Sequence, residues 1–143
     1  MTVELHILLN VSSNLDEIRD TVAKLVGHPL SRVDNEMGVT FATKALWIEW
    51  VLYGDHDFED DCGIEFTKYE YVLDLIPLDA GPDLAAYDLM YEGAALFTAY
   101  QLSRVLGCRT LVVRNLTRKV AAYSRGRRQS IESSSKAVSL ERT

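Results

Sequence analysis

Apolar and polar positions along the chain change period several times, and each change marks an element. "VELHILLNV" is aliphatic and loosely alternating, which predicts a strand over 2–11. In "SSNLDEIRDTVAKLVG" the apolar positions Leu15, Ile18, Val22 and Leu25 recur at helical spacing. Ser13 or Asn14 can cap this helix, with Asp16 or Glu17 three residues on closing a capping box. Gly27 stops it and Pro29 follows, so the helix runs 14–26.

A β region follows. "MGVTFAT" (37–43) and "ALWIEWVLY" (45–53) predict two strands with a tight turn near Thr43–Lys44. Alternation puts Leu46, Ile48, Trp50 and Leu52 on one face and Trp47, Glu49, Val51 and Tyr53 on the other. "FTKYEYVLDLIPL" predicts a third strand of this group, with Tyr69, Tyr71, Leu73 and Leu75 facing one way and Pro77 ending it. After the loop "DAGPD", with Asp83 as a cap, residues 84–106 carry the longest helical pattern. Its core stripe is Leu84, Tyr87, Tyr91, Ala94, Thr98, Leu102 and Val105, and Gly93 among alanines suggests close packing. "RTLVVRN" and "KVAAYS" form a last strand pair turning at 115–118. The order β-α-β-β-β-α-β-β predicts an α+β fold. It is a mainly antiparallel sheet of about six strands with two helices packed on one face, not a doubly wound nucleotide fold.

Composition adds little to this but bounds it. The chain has 143 residues, 48% apolar and 25% charged, which fits one soluble domain with its own core. No apolar run approaches the ~18–20 residues of a membrane span, and the N-terminus lacks a basic n-region, so the expectation is a cytoplasmic chain with no membrane partner. Two cysteines, Cys62 and Cys108, give neither a disulfide framework nor zinc spacing.

Charge is more informative. The net charge of −6 is uneven: residues 1–123 hold ten basic and nineteen acidic side chains, and 124–143 hold five and two. The first segment reads as one acidic domain, which repels nucleic acid and attracts basic proteins. The second, rich in Ser and Arg and without periodicity, reads as a disordered basic tail.

The candidate chemistry concentrates in "GDHDFEDDCGIEF" (54–66), with five carboxylates in the seven residues from Asp55 to Asp61. It is not an EF-hand: counted from Asp55, Asp60 stands where the loop needs Gly and Phe66 where it needs Glu; counted from Asp57, those places hold Cys62 and Lys68. In an extended segment Asp57, Glu59 and Asp61 project together and Asp55 joins them. An acid–base pair needs two carboxylates in different environments, whereas five in a loop share solvent. His56 and Cys62 together with the 55–62 carboxylates are the alternative, a small metal-dependent or hydrolytic module, and a regulatory oligomeric subunit is another. The chain carries no Gly-rich phosphate loop, GxSxG, HExxH or CxxC. The expectation is therefore no catalytic residues, no metal, no cofactor and no enzyme. Asp55, Asp57, Glu59, Asp60 and Asp61 contact a basic protein partner, with Trp47 or Tyr53 as an apolar anchor.

The opening "VELHILLNVSSNLDEIRDTVAKLVG" and the segment "EDDCGIEFTKYEYVLDL" before an Ala-rich helix resemble small bacterial immunity proteins of polymorphic-toxin systems. The resemblance is one of layout over roughly 1–123, with "DDCGIEFT" its most distinctive piece, and the basic tail stands outside it. It implies a cytosolic protein that binds and blocks one cognate toxin.

Overall fold

A computed structural model of the chain describes residues 3–34, 38–78 and 83–131. Strand β1 (Leu5–Asn10) leads into helix α1 (Leu15–Val26), then β2 (Ser31–Arg32), β3 (Thr40–Ala45), β4 (Ile48–Tyr53) and β5 (Tyr71–Pro77). Helix α2 (Leu84–Val105) follows, then β6 (Arg109–Arg114), β7 (Arg118–Ser124) and β8 (Arg127–Gln129). All eight strands form one sheet in the order β2-β3-β4-β5-β1-β6-β7-β8, and every neighbouring pair is antiparallel. The α+β class and the antiparallel sheet are as the pattern predicts. The strand number exceeds the expected six because β2 and β8 are too short to show a period.

Both helices pack on one face of the sheet. Ile18, Val22 and Val26 of α1 and Tyr91, Ala95, Ala99 and Leu102 of α2 meet Ile7, Trp50, Leu52, Leu73, Leu75 and Val112 in the main core. Asn14, not Ser13, caps α1. Its side chain accepts from the Glu17 amide at 2.9 Å while Glu17 reaches back to the Asn14 amide, a full capping box. Tyr91 ties α2 to the sheet: its hydroxyl accepts from the Leu5 amide at 2.7 Å and donates to the Leu75 carbonyl.

Three expectations need correction. The β3–β4 turn lies at Leu46–Trp47, both with φ near +60°, and not at Thr43–Lys44. Nothing in Leu-Trp signals a turn of this kind, which usually takes Asn and Gly. It is held from outside, because the Trp47 carbonyl accepts from the Leu78 amide and the Tyr87 hydroxyl. Leu46 and Trp47 therefore leave the strand faces and stand exposed. Second, Gly93 marks no close packing: it is exposed, and a Cβ there would meet nothing within 4 Å. Of the expected stripe, Tyr91, Thr98 and Leu102 are buried and Tyr87 and Ala94 pack against the core, but Leu84 and Val105 are exposed, and Ala95, Ala99 and Ser103 are buried beside them. Third, the chain does not become a tail at 124. Arg125 and Gly126 take positive φ and turn the backbone into β8. A Cβ on Gly126 would press within 3.1 Å of Arg104 Cβ, and the Gly126 amide donates to Ser103 Oγ, so the hairpin is docked on α2. The remainder of the expected tail, 132–143, and the loop residues 79–82 lie outside the described residues. Among the described residues no helix is long and apolar enough to cross a membrane.

Candidate functional site

The sheet face without helices carries its own apolar cluster: Leu8, Val72, Leu111 and Val113 from the strands, covered by Ile64 and Phe66. These two belong to the acidic stretch. Residues 54–70 leave the end of β4, cross this face as a strap and return to β5 through a 3-10 turn at Phe66–Lys68. The stretch between two strands is thus a cover for a second core rather than a free loop.

Its geometry follows from alternation. From Asp55 to Glu59 the side chains are exposed, half-buried, exposed, half-buried, exposed. Asp55, Asp57 and Glu59 point outward while His56 and Phe58 point in. Phe58 stacks on His56 at 4.9 Å and meets Phe66 edge-on at 5.6 Å. The Phe58 amide donates to His56 Nδ1, so Nε2 carries the hydrogen given to the Tyr69 carbonyl at 2.5 Å. His56 is thereby committed to holding the strap. Asp61 to Ile64 form a tight turn, with Cys62 and Gly63 at positive φ and reciprocal backbone bonds of 3.1 and 2.8 Å.

The five carboxylates are not equivalent. Asp60 Oδ1 accepts from the Thr67 amide at 2.9 Å and from its hydroxyl at 2.8 Å. Those two bonds hold the Asp60 carboxyl below the usual carboxylate range. Asp61 Oδ1 accepts from the Cys62 amide. Asp55, Asp57 and Glu59 make no such internal bonds among the described residues, and none of the five is paired there with a lysine or arginine. Among the described residues the outward edge is an array of negative charge without cationic partners, on an anchored backbone.

The two aromatic anchors are placed differently. Tyr53 is half-buried at the start of the strap and packs into the second cluster. Burial first, then the neighbouring Asp74 carboxylate, pushes its hydroxyl pKa far up. Trp47 is 63% exposed but sits at the opposite end of β4 from Asp55, with the strand's length of about 20 Å between them at ~3.3 Å per residue. The structure does not bring Trp47 to the carboxylates.

One constellation escapes the sequence pattern. His6 and Asp74 are directly paired across β1 and β5, with Nδ1 to Oδ1 at 2.5 Å, and Glu4 lies 3.9 Å from Nε2. Tyr53 completes a polar row Tyr53–Asp74–His6–Glu4 in the middle of the sheet. His6 is buried, and the row satisfies its ring as burial requires. Alternation puts Asp74 on the face of Val72, but only the position of β5 beside β1 reveals its partner.

The two cysteines lie in different settings. Cys108 is buried and burial pushes its thiol up to about 11, while exposed Cys62 lies in the turn. Among the described residues no three His, Cys, Asp or Glu side chains are arranged to hold a metal ion. No family model, no curated protein and no solved structure matches the chain.

Proposed function

We propose that the chain is a non-catalytic binding protein of the bacterial immunity kind, which neutralises a basic toxin in the cytoplasm by docking it on the acidic strap. One observation supports this most: Asp55, Asp57 and Glu59 face outward from a strap whose alternate side chains are fastened to a core. A charged edge that is already ordered loses little freedom on binding, which favours tight association. Asp61 extends the edge, and Asp60 serves the strap's own structure while adding its charge. The expected effect of such an array is steering of the encounter more than depth of binding.

The test is co-expression with a toxin encoded beside this gene, followed by association kinetics of the purified pair. Rescue of growth and a stable complex are expected. Replacing Asp55, Asp57 and Asp61 by Asn and Glu59 by Gln is expected to slow association roughly tenfold to a hundredfold at low salt. The difference should vanish near 1 M salt, where charges are screened within ~3 Å. Absence of both rescue and complex would overturn the function, whereas unchanged kinetics in the quadruple variant would overturn the strap as its site.

A further inference from the structure

The charge of this molecule is divided across the sheet. From Gly93 to Ile131 the chain holds eight basic side chains and no acidic one, while residues 1–92 hold five basic and nineteen acidic. Among the described residues none of the eight is in an ion pair with a carboxylate. They are carried by the end of α2, by β6, β7 and β8, and by Arg125 in the turn between the last two. There the sheet also has a concavity of about 260 Å³, lined by Arg109, Leu111, Lys119, Ala122, Gln129 and, from the foot of the strap, Tyr69.

The strand register shows how it is built. Arg109 pairs with Ser124, Leu111 with Ala122 and Val113 with Lys119. Cross-strand partners share a face, so Arg109 and Lys119 stand at the two ends of an apolar floor made by Leu111 and Ala122. β8 adds Gln129 beside Ala122 and Arg127 beside Ser124. Among the described residues the rim has one carboxylate, Glu65, which is turned to Lys68 at 3.1 Å. Tyr69 stays a neutral phenol, since burial pushes its pKa up.

We infer that this concavity binds a phosphate monoester carried on a small ring-bearing group, of the size of a nucleoside monophosphate. Two cations around one hollow match a group with close to two negative charges and three accepting oxygens, whereas a carboxylate offers one charge and two. Gln129 supplies a neutral donor. The Leu111–Ala122 floor and the Tyr69 side wall accept an apolar ring. A hollow just below the usual ~300–1,000 Å³ of small-molecule sites excludes a dinucleotide. The site takes anions on the basic part of the sheet and does not depend on what the strap binds.

The test is calorimetry on the full chain at low salt with adenosine 5′-monophosphate, inorganic phosphate and adenosine in separate titrations. The monophosphate is expected to bind with a dissociation constant between roughly 10 μM and 1 mM. Phosphate should bind at least about tenfold more weakly and adenosine not measurably, because each lacks one half of the match. Arg109→Gln and Lys119→Gln should each weaken the monophosphate about tenfold or more, with Arg114→Gln, on the helix-covered face, changing it less than about twofold. Unchanged melting temperatures and amide spectra establish that the variants are folded, and monophosphate should shift the Gln129 side-chain amide signal in the native protein. No binding at about 5 mM monophosphate overturns the inference, as does equal sensitivity to Arg109→Gln and Arg114→Gln, which would reduce the effect to diffuse charge. A short oligonucleotide that binds more tightly than the monophosphate overturns it as well, since its linking diesters carry one charge each and the hollow excludes a dinucleotide. Oligonucleotide binding indifferent to Arg109, without monophosphate binding, overturns it.

Discussion

Tyr91 satisfies two backbone groups that the sheet leaves open, the Leu5 amide and the Leu75 carbonyl. Burial raises its hydroxyl pKa, so it remains a neutral donor and acceptor through the physiological range. Tyr91→Phe keeps the ring but strands both groups, at an expected cost of about 1–3 kcal/mol in urea unfolding. A loss below about 0.5 kcal/mol would mean that water replaces the hydroxyl. Asp60 makes a prediction about acid. Its folded pKa is depressed by Thr67, so the strap gains stability that is present above the ordinary carboxylate value near 3.9 and is lost as pH falls through the folded value. Asp60→Asn should remove this acid sensitivity from hydrogen exchange of residues 60–67, and an unchanged pH profile would refute the assignment. Some residue roles are legible in the amino-acid order alone: the Asn14–Glu17 box is a local spacing rule. The His6–Asp74 pair is not, because its partners lie 68 positions apart and meet only through strand order.

Among elements, the helices are the most legible and the short strands the least. α1 lies within a residue of its expected bounds because cap, period and stop all agree. α2 has its expected length and the middle of its expected stripe, Tyr91, Thr98 and Leu102, is buried, but the stripe's ends Leu84 and Val105 are exposed and its buried face is broadened by Ala95, Ala99 and Ser103. Apolar residues surround it, with Leu89 at 80% and Phe97 at 54% exposure, so period alone does not choose the side that packs. Gly93 on the open side carries the helix penalty with no steric return. Gly93→Ala should therefore raise stability by about 0.5–1 kcal/mol, and a destabilised variant would show that something occupies that space. The strap is visible in the sequence as an acidic segment but not as a lid, because Ile64 and Phe66 find their cluster only after β1, β5 and β6 are adjacent. Phe66→Ala should cost about 3–4 kcal/mol if strap and sheet unfold together. A smaller loss, with fast exchange confined to 55–69, would instead make the strap a separate unit of stability.

The whole molecule is a sheet with two unequal coverings. Helices bury the larger cluster on one side, and a short strap buries the smaller one on the other. Net charge describes it poorly, since −6 averages a strongly acidic portion and a basic one that the fold places toward opposite ends of the strand order. A boundary drawn by composition at 124 cuts through that basic portion, because Arg-Gly in a hairpin turn resembles the start of a polar tail.

The sheet is open, and its two flanks differ from its middle in a way that bears on solubility at high concentration. An unpaired strand invites another copy to continue the ladder, the first step of many protein aggregates. Among the described residues the outermost segments are only two and three residues long, Ser31–Arg32 and Arg127–Gln129, and all five residues are exposed. Arg32 on the β2 flank is paired with Asp34 at 2.9 Å, but β8 presents Arg127 and Arg128 with no carboxylate partner among the described residues, so two copies meeting β8 to β8 would oppose like charges with few hydrogen bonds gained in return. The protein is expected to stay dispersed as its concentration rises in moderate salt. Light scattering that grows steadily with concentration in a variant lacking Arg127 and Arg128, and falls when they are restored, would locate the protection at β8.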